Sequence, residues 1–417
     1  MESSDTFVIV GAGLAGAKAA QTLREEGFAG RVILLGAEPE RPYERPPLSK
    51  GLLLGTTGWL DAYVHEPGWY AANDVELRTA TRVTAVDRDL RQVVLDTGER
   101  LGYDKLLLTT GSTPRRLDVP GADLDGVRYL RTLDDSAEIG TALVGGARLV
   151  VIGAGWIGLE VAAAARQYGA AVTVVETADL PLQRVLGDEV ARVFADLHRG
   201  HDVTFHFGVG VQEIRGAGRV SSVLLTDGTE LPADTVVVGV GIQPDTQLAE
   251  AAGLKVDNGI VTDARLRTSD PHIYAAGDVA NAHHPLLDRQ LRVEHWANAL
   301  NGGPAAARSM LGQQVEYDRL PYFFSDQYDL GMEYSGWVDP RGYDRVVFRG
   351  DPAVVGGRAP EFLAFWVSDG RVLAGMNANV WDVTDQIQAL VRAGHRGRAV
   401  DLDRLADPQV PLGDLLP

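Results

Sequence analysis

The chain of 417 residues contains no cysteine. That excludes a disulfide, a redox-active dithiol, a thiolate zinc site and a cysteine-ligated iron–sulfur cluster within it. Positive charge is scarce: 39 Lys and Arg stand against 57 Asp and Glu, a formal net charge of −18. Such a balance argues against a general nucleic-acid or anionic-membrane role. No run of about 18 apolar residues occurs, so no membrane span is expected. The opening "MESSDTFVIVGAG" enters an apolar run with no basic segment before it, so no secretory signal is expected, and a cytoplasmic protein is the default. His198 and His201 are spaced like metal ligands, but no carboxylate cluster joins them in "LHRGHDV", and a structural role is expected.

The length suits several domains at roughly 100–200 residues each. "FVIVGAGLAGAKAAQTLREEGF" reads as a buried parallel strand, a Gly-rich turn and an Ala-rich helix, with "RVILL" as a second strand. The pattern returns in "ARLVVIGAGWIGLEVAAAARQYGAAVTVVE", where Gly153, Gly155 and Gly158 match Gly11, Gly13 and Gly16. Each GxGxxG follows an apolar strand and opens a helix, the context in which the motif binds a dinucleotide pyrophosphate. One glycine makes the tight turn, the next lets the phosphates approach the backbone, and the third lets helix and strand pack closely. The helix N-terminus adds N–H donors and partial positive charge.

Glu176 closes the second strand of the later unit, where a carboxylate accepts hydrogen bonds from both ribose hydroxyls and repels a 2′-phosphate. No arginine follows directly, so NADH is expected over NADPH. In the earlier unit Gly36 falls opposite Glu176, and the nearest acid, Glu38, is assigned the ribose contact. "LLLTTGSTP" and "VVVGVGIQP" look like crossings between domains. After about residue 322 the texture becomes that of an antiparallel meander, with "DVTDQIQALVRAG" as a closing amphipathic helix.

"TSDPHIYAAGDVA" adds Asp278 after a small-residue strand and a glycine. With two Gly loops before it, this resembles the second flavin motif of two-dinucleotide flavoproteins. The chain from residue 7 to about 400 is similar to the FAD-dependent NADH:ferredoxin reductases, a cysteine-free branch of the pyridine nucleotide–disulfide oxidoreductase superfamily. "RPPLSK", "RVLGDE", "SDQYDLGMEYSGW" and "MNANVWDV" are its more specific motifs. The resemblance implies an α/β fold: two Rossmann-type dinucleotide-binding domains, glutathione-reductase-like, plus a C-terminal α+β domain. FAD would occupy 1–114 and 246–322, NAD 115–245, and the C-terminal domain would run over 323–417.

The segment "PYERPPLSK" is expected to be a rigid, extended arm, because prolines fix φ and restrict their neighbours. The resemblance carries it alongside the isoalloxazine, where Lys50 would lie near N5 and pair with Glu160. Read without the resemblance, it is a proline-rich surface loop with a solvated lysine. Residue by residue, Ala15, Lys50, Val83, Arg131, Asp278 and Trp296 fall on FAD-contacting positions, with Arg45 a further contact. Arg131 also suits a surface ion pair, and Trp296 a core position. Gly153, Gly155, Ile157, Gly158, Glu176, Arg184 and Gly241 carry over to the nicotinamide nucleotide. Arg184 suits solvent equally well. Phe324 stands where several relatives have Trp, which puts an electron exit through that ring in doubt.

The implied activity is hydride transfer from NADH to non-covalently held FAD, then single electrons to a 2Fe–2S ferredoxin. That ferredoxin would serve a haem-thiolate mono-oxygenase or a ring-hydroxylating dioxygenase. The alternatives are a reductase for rubredoxin or another carrier, and an NADH-sensing interaction protein resembling apoptosis-inducing factor. An acidic ferredoxin meeting an acidic chain needs a local basic surface. The candidates are Arg392, Arg396 and Arg398, then Arg341, Arg345 and Arg349.

Overall fold

The computed structural model describes residues 5–416. They form two compact units, one made of the chain up to Arg45, Trp59–Thr113 and Gln243–Pro321. The other takes Pro46–Gly58, Pro114–Ile242 and the chain from Tyr322 onward.

At the centre of the first unit is a five-stranded parallel sheet in the order Ile273–Ala275, Lys105–Leu108, Thr6–Val10, Arg31–Leu35, Val75–Arg78. Thr6–Val10 lies between two neighbours and reads as a continuous apolar run because both of its faces are covered. The helices Leu14–Glu25 and Trp296–Met310 pack on each other along small residues. On the other face, a three-stranded antiparallel sheet that begins with Val83–Asp87 packs Val83, Val86 and Val93 into the core.

A parallel five-stranded sheet recurs in the second unit, in the order Thr204–Phe207, Ala171–Glu176, Arg148–Ile152, Thr235–Val238, Val127–Arg128. Its strand–turn–helix, Arg148–Ile152 then Trp156–Gln167, repeats the first unit's element for element. The chain from Tyr322 builds a five-stranded antiparallel sheet. Three strands from Arg345 to Ala378 form a meander, and the hairpin Tyr322–Gln327/Leu330–Gly336 joins it by pairing with Arg371–Ala378. The helix Thr384–His395 packs across this sheet, and the end of the chain is clasped by Arg349, whose guanidinium donates to the carbonyls of Leu405, Pro408 and Val410. Arg349 is therefore spent internally.

The proline segment is not extended. Pro46–Ser49 is a turn of 3₁₀ helix, and the Lys50 and Leu52 N–H groups both donate to the Pro47 carbonyl. A proline φ near −65° suits 3₁₀ and extended backbone alike. Ser136 Oγ donates to the Leu48 carbonyl at 2.7 Å and Tyr168 Oη to the Leu53 carbonyl at 2.8 Å, fastening the arm within its unit.

Candidate cofactor and hydride-transfer site

Gly11 has φ +113°, and a Cβ there would sit 2.1 Å from the Thr109 carbonyl oxygen. Gly153 repeats this at φ +99°, 2.4 Å from the Gly239 carbonyl oxygen. In both loops the third glycine allows the same close approach, since a Cβ on Gly16 or Gly158 would meet the carbonyl of Gly11 or Gly153 at 2.1 Å. The middle glycines differ in kind. A Cβ on Gly13 or Gly155 would meet nothing within 4 Å among the described residues. Each is the N-cap of its helix and supplies no side-chain hydrogen bond there. The helices thus present open N–H donors beside open space, the form a pyrophosphate requires.

The loops diverge at the ribose position. Gly11 and Gly153 donate to the carbonyls of Leu35 and Val175 at 2.8 Å each, which makes Gly36 and Glu176 equivalent. Glu176 turns back onto its loop: Oε2 accepts the Ala154 N–H at 2.8 Å and Oε1 the Ala178 N–H at 2.9 Å. At Gly36 a Cβ would lie 2.6 Å from that of Ala12, so no side chain fits. The nearest acid, Glu38, accepts Arg45 at 2.8 Å and the Tyr43 hydroxyl at 2.5 Å. Burial alone would lower Arg45, but Tyr43, Glu38 and Asp278 outweigh it and hold the guanidinium above its ordinary range. Glu38, Arg45 and Asp278 are so brought into one electrostatic group in the first unit.

Ala15 is buried in the Gly-loop helix and Val83 at the head of its strand. Trp296, half-buried, opens the helix Trp296–Met310. In the second unit Arg131 precedes a capped helix; its N–H donates to Asp135 Oδ2 at 2.9 Å. Gly241 has φ +99° and Arg184 is exposed. Ile157 and Val240 border the second Gly loop, and they expose 43% and 37% of their surface. Apolar side chains held open beside a phosphate-binding turn suit a flat nucleotide base.

Lys50 Nζ lies 2.8 Å from Glu160 Oε2, and Glu160 is almost wholly buried in the first half of the helix Trp156–Gln167. Lys50 also stands 5.4 Å from the centroid of the Phe324 ring. Two further donors on Glu160 escaped the sequence reading. The Ser49 hydroxyl binds Oε2, and the Ser325 hydroxyl binds Oε1 at 2.7 Å. The signal for Ser325 was its parity in "YFFSDQ": it shares the inward face of the strand with Phe323 and Gln327. His198 is fully buried against Gln327 and Tyr328, a structural setting. Among the described residues no group of His, Asp and Glu could hold a metal ion, and no helix is long and apolar enough to cross a membrane.

The chain belongs to the pyridine nucleotide-disulphide oxidoreductase family, whose pattern matches residues 5–303; a reductase C-terminal domain matches 322–416. FAD and NAD(H) are this family's cofactors. The two open Gly loops and the Glu38–Arg45–Asp278 group fit such a pair of dinucleotides. Over 99% of its length the chain is 42% identical to the anthranilate 1,2-dioxygenase system ferredoxin–NAD(+) reductase component of Burkholderia cepacia, covering 100% of that protein. It is 39% identical to putidaredoxin reductase CamA of Pseudomonas putida, covering 100% of this chain and 98% of the relative. The crystal structure of the covalent putidaredoxin reductase–putidaredoxin complex matches with a TM-score of 0.92 at 39% identity, over 99% of this chain and 98% of that one.

Proposed function

We propose that this oxidoreductase is an NADH-dependent ferredoxin reductase serving an oxygenase system in the cytoplasm. One observation carries the reading: two equivalent dinucleotide loops in a chain without cysteine. Electrons taken from NADH have no dithiol of this chain to enter, which leaves an acceptor outside the chain. Relatives named for ferredoxin and putidaredoxin reduction support this partner. When bound, FAD supplies the capacity to accept electrons in pairs and release them singly. The protein's own residues bind, align and tune.

We assign FAD to 1–114 and 246–322, with the first Gly loop, Glu38, Arg45 and Asp278 as its principal holders. NAD is assigned to 115–245 through the second loop, Ile157 and Glu176, and 323–417 is assigned to a C-terminal domain. Lys50, steadied by Glu160, is assigned to the flavin, where a fixed ammonium stabilises negative charge as it develops. The purified protein is expected to be yellow and to release about one FAD per chain on denaturation. A folded, colourless preparation that takes up no FAD would remove the flavoprotein reading. The deciding experiment is steady-state NADH oxidation with a panel of ferredoxins and rubredoxins. Acceleration by a ferredoxin is expected; slow turnover with every carrier, together with an NADH-dependent change in mass, would replace the reductase by an interaction protein.

For carrier docking we favour Arg396 and Arg398, both exposed after the helix Thr384–His395. Reversing both charges should raise KM for ferredoxin about tenfold and flatten its salt dependence. Flavin reduction by NADH alone should keep its rate. Unchanged carrier kinetics would exclude this patch.

A further inference from the structure

Glu160 ends a longer chain of buried groups. Behind Ser325, Gln327 Nε2 lies 3.0 Å from the serine hydroxyl. Gln327 Oε1 lies 2.8 Å from His198 Nε2, and His198 Nδ1 lies 3.2 Å from the Tyr328 hydroxyl. Ser325, Gln327 and His198 expose 1% of their surface or less. Four separate stretches meet here, all in the second unit: the proline arm, the helices Trp156–Gln167 and Gln183–Gly200, and the strand Tyr322–Gln327.

The direction of every link follows from the carboxylate. An ionised carboxylate only accepts, so Ser325 spends its single hydroxyl proton on Glu160. The serine oxygen must then accept, and only the Gln327 amide nitrogen can donate to it. That leaves the amide oxygen facing His198, which must donate from Nε2 and is free to accept the Tyr328 hydroxyl at Nδ1. Burial pushes His198 down to about 4, in keeping with a neutral ring that has one donor and one acceptor nitrogen. Each rotor in the chain is left with a single satisfied orientation.

We infer that Ser325, Gln327 and His198 are positioning residues for Lys50: a one-way chain of hydrogen bonds sets the rotation of the Glu160 carboxylate, and with it the position of the ammonium. A lysine is a point charge on a flexible four-carbon stem and does not fix its own place. The Ser325 bond holds Oε1, so Oε2 stays where Ser49 and Lys50 meet it. Gln327 and His198 act only through Ser325. The inference rests on the assignment of Lys50 to the flavin.

The test uses the FAD-loaded protein. Ser325→Ala is expected to lower the limiting rate of flavin reduction by NADH about tenfold, with KM for NADH unchanged, since only alignment is lost. Ser325→Thr, which restores a hydroxyl, should recover most of the rate. If Ser325→Ala does not retain FAD, Gln327→Met should show the same drop. Independently of turnover, nitrogen-15 histidine spectra should show His198 protonated at Nε2 and bare at Nδ1, between about pH 5 and 8. Full rate in Ser325→Ala, or the opposite His198 tautomer, overturns the positioning chain. A wild-type protein that holds FAD but is not reduced by NADH overturns the reductase reading itself, and the role of the chain with it.

Discussion

Lys50→Met should slow the reduction of the flavin by NADH about 100-fold, the scale seen when one preorganised electrostatic partner is removed from a reacting centre. The structure also requires a cost in stability. Among the described residues, Glu160 keeps the hydroxyls of Ser49 and Ser325 once the ammonium 2.8 Å away is gone. Removing one member of a buried ion pair costs about 3–5 kcal/mol, because the surviving charge is left poorly compensated. Two remaining donors place this case at the low end, about 3 kcal/mol. Lys50→Met/Glu160→Leu removes both charges and should recover much of the stability but none of the rate. Stopped-flow reduction and urea denaturation of the same FAD-loaded preparations separate the two effects. If flavin reduction keeps its speed while FAD is retained, Lys50 has no part in the chemistry and the pair is structural.

The second large effect is nucleotide choice. kcat/KM should favour NADH over NADPH by about 100-fold, since like charges brought together at a binding face cost several kcal/mol. Glu176 does not swing free: its two oxygens are held by the backbone of Ala154 and Ala178, so it cannot turn away from an incoming 2′-phosphate. Glu176→Gln keeps the shape and one acceptor oxygen while removing the charge. It should narrow the preference about tenfold, chiefly by improving NADPH. Initial rates across both nucleotides decide this. An unmodified enzyme that already prefers NADPH would mean that Glu176 does not face the ribose.

The Gly loops were legible in the sequence because each glycine answers a hard steric demand: backbone carbonyls stand where Cβ atoms of Gly11, Gly153, Gly16 and Gly158 would be. Aligning the two units placed Gly36 opposite Glu176, but the 2.6 Å approach of a Cβ at Gly36 to that of Ala12 was not legible. Conformation in the proline arm was misjudged, since a fixed φ leaves ψ undecided and here ψ closes a 3₁₀ turn. The donors behind Glu160 were hidden for another reason. Ser49, Ser325 and Gln327 are ordinary surface residue types, and only the strand's parity and the fold's long-range contacts turn them inward. Arg349 shows the converse: a charge that reads as solvent-facing is used to clasp the chain end.

The contact between Ala12 and Gly36 bears on how a duplicated unit grows apart. A glutamate copied from 176 to 36 would bring its Cβ to 2.6 Å from the methyl of Ala12, in a loop whose backbone is already pinned at Gly11 and Gly16. The first half can no longer be turned back into the second by restoring one side chain; the loop itself would have to change with it. Two halves that share glycine spacing and strand order have thus become non-interchangeable. The same alanine stands at 154 in the second loop, opposite Glu176, so the two halves differ in the path of the backbone at these positions rather than in that side chain.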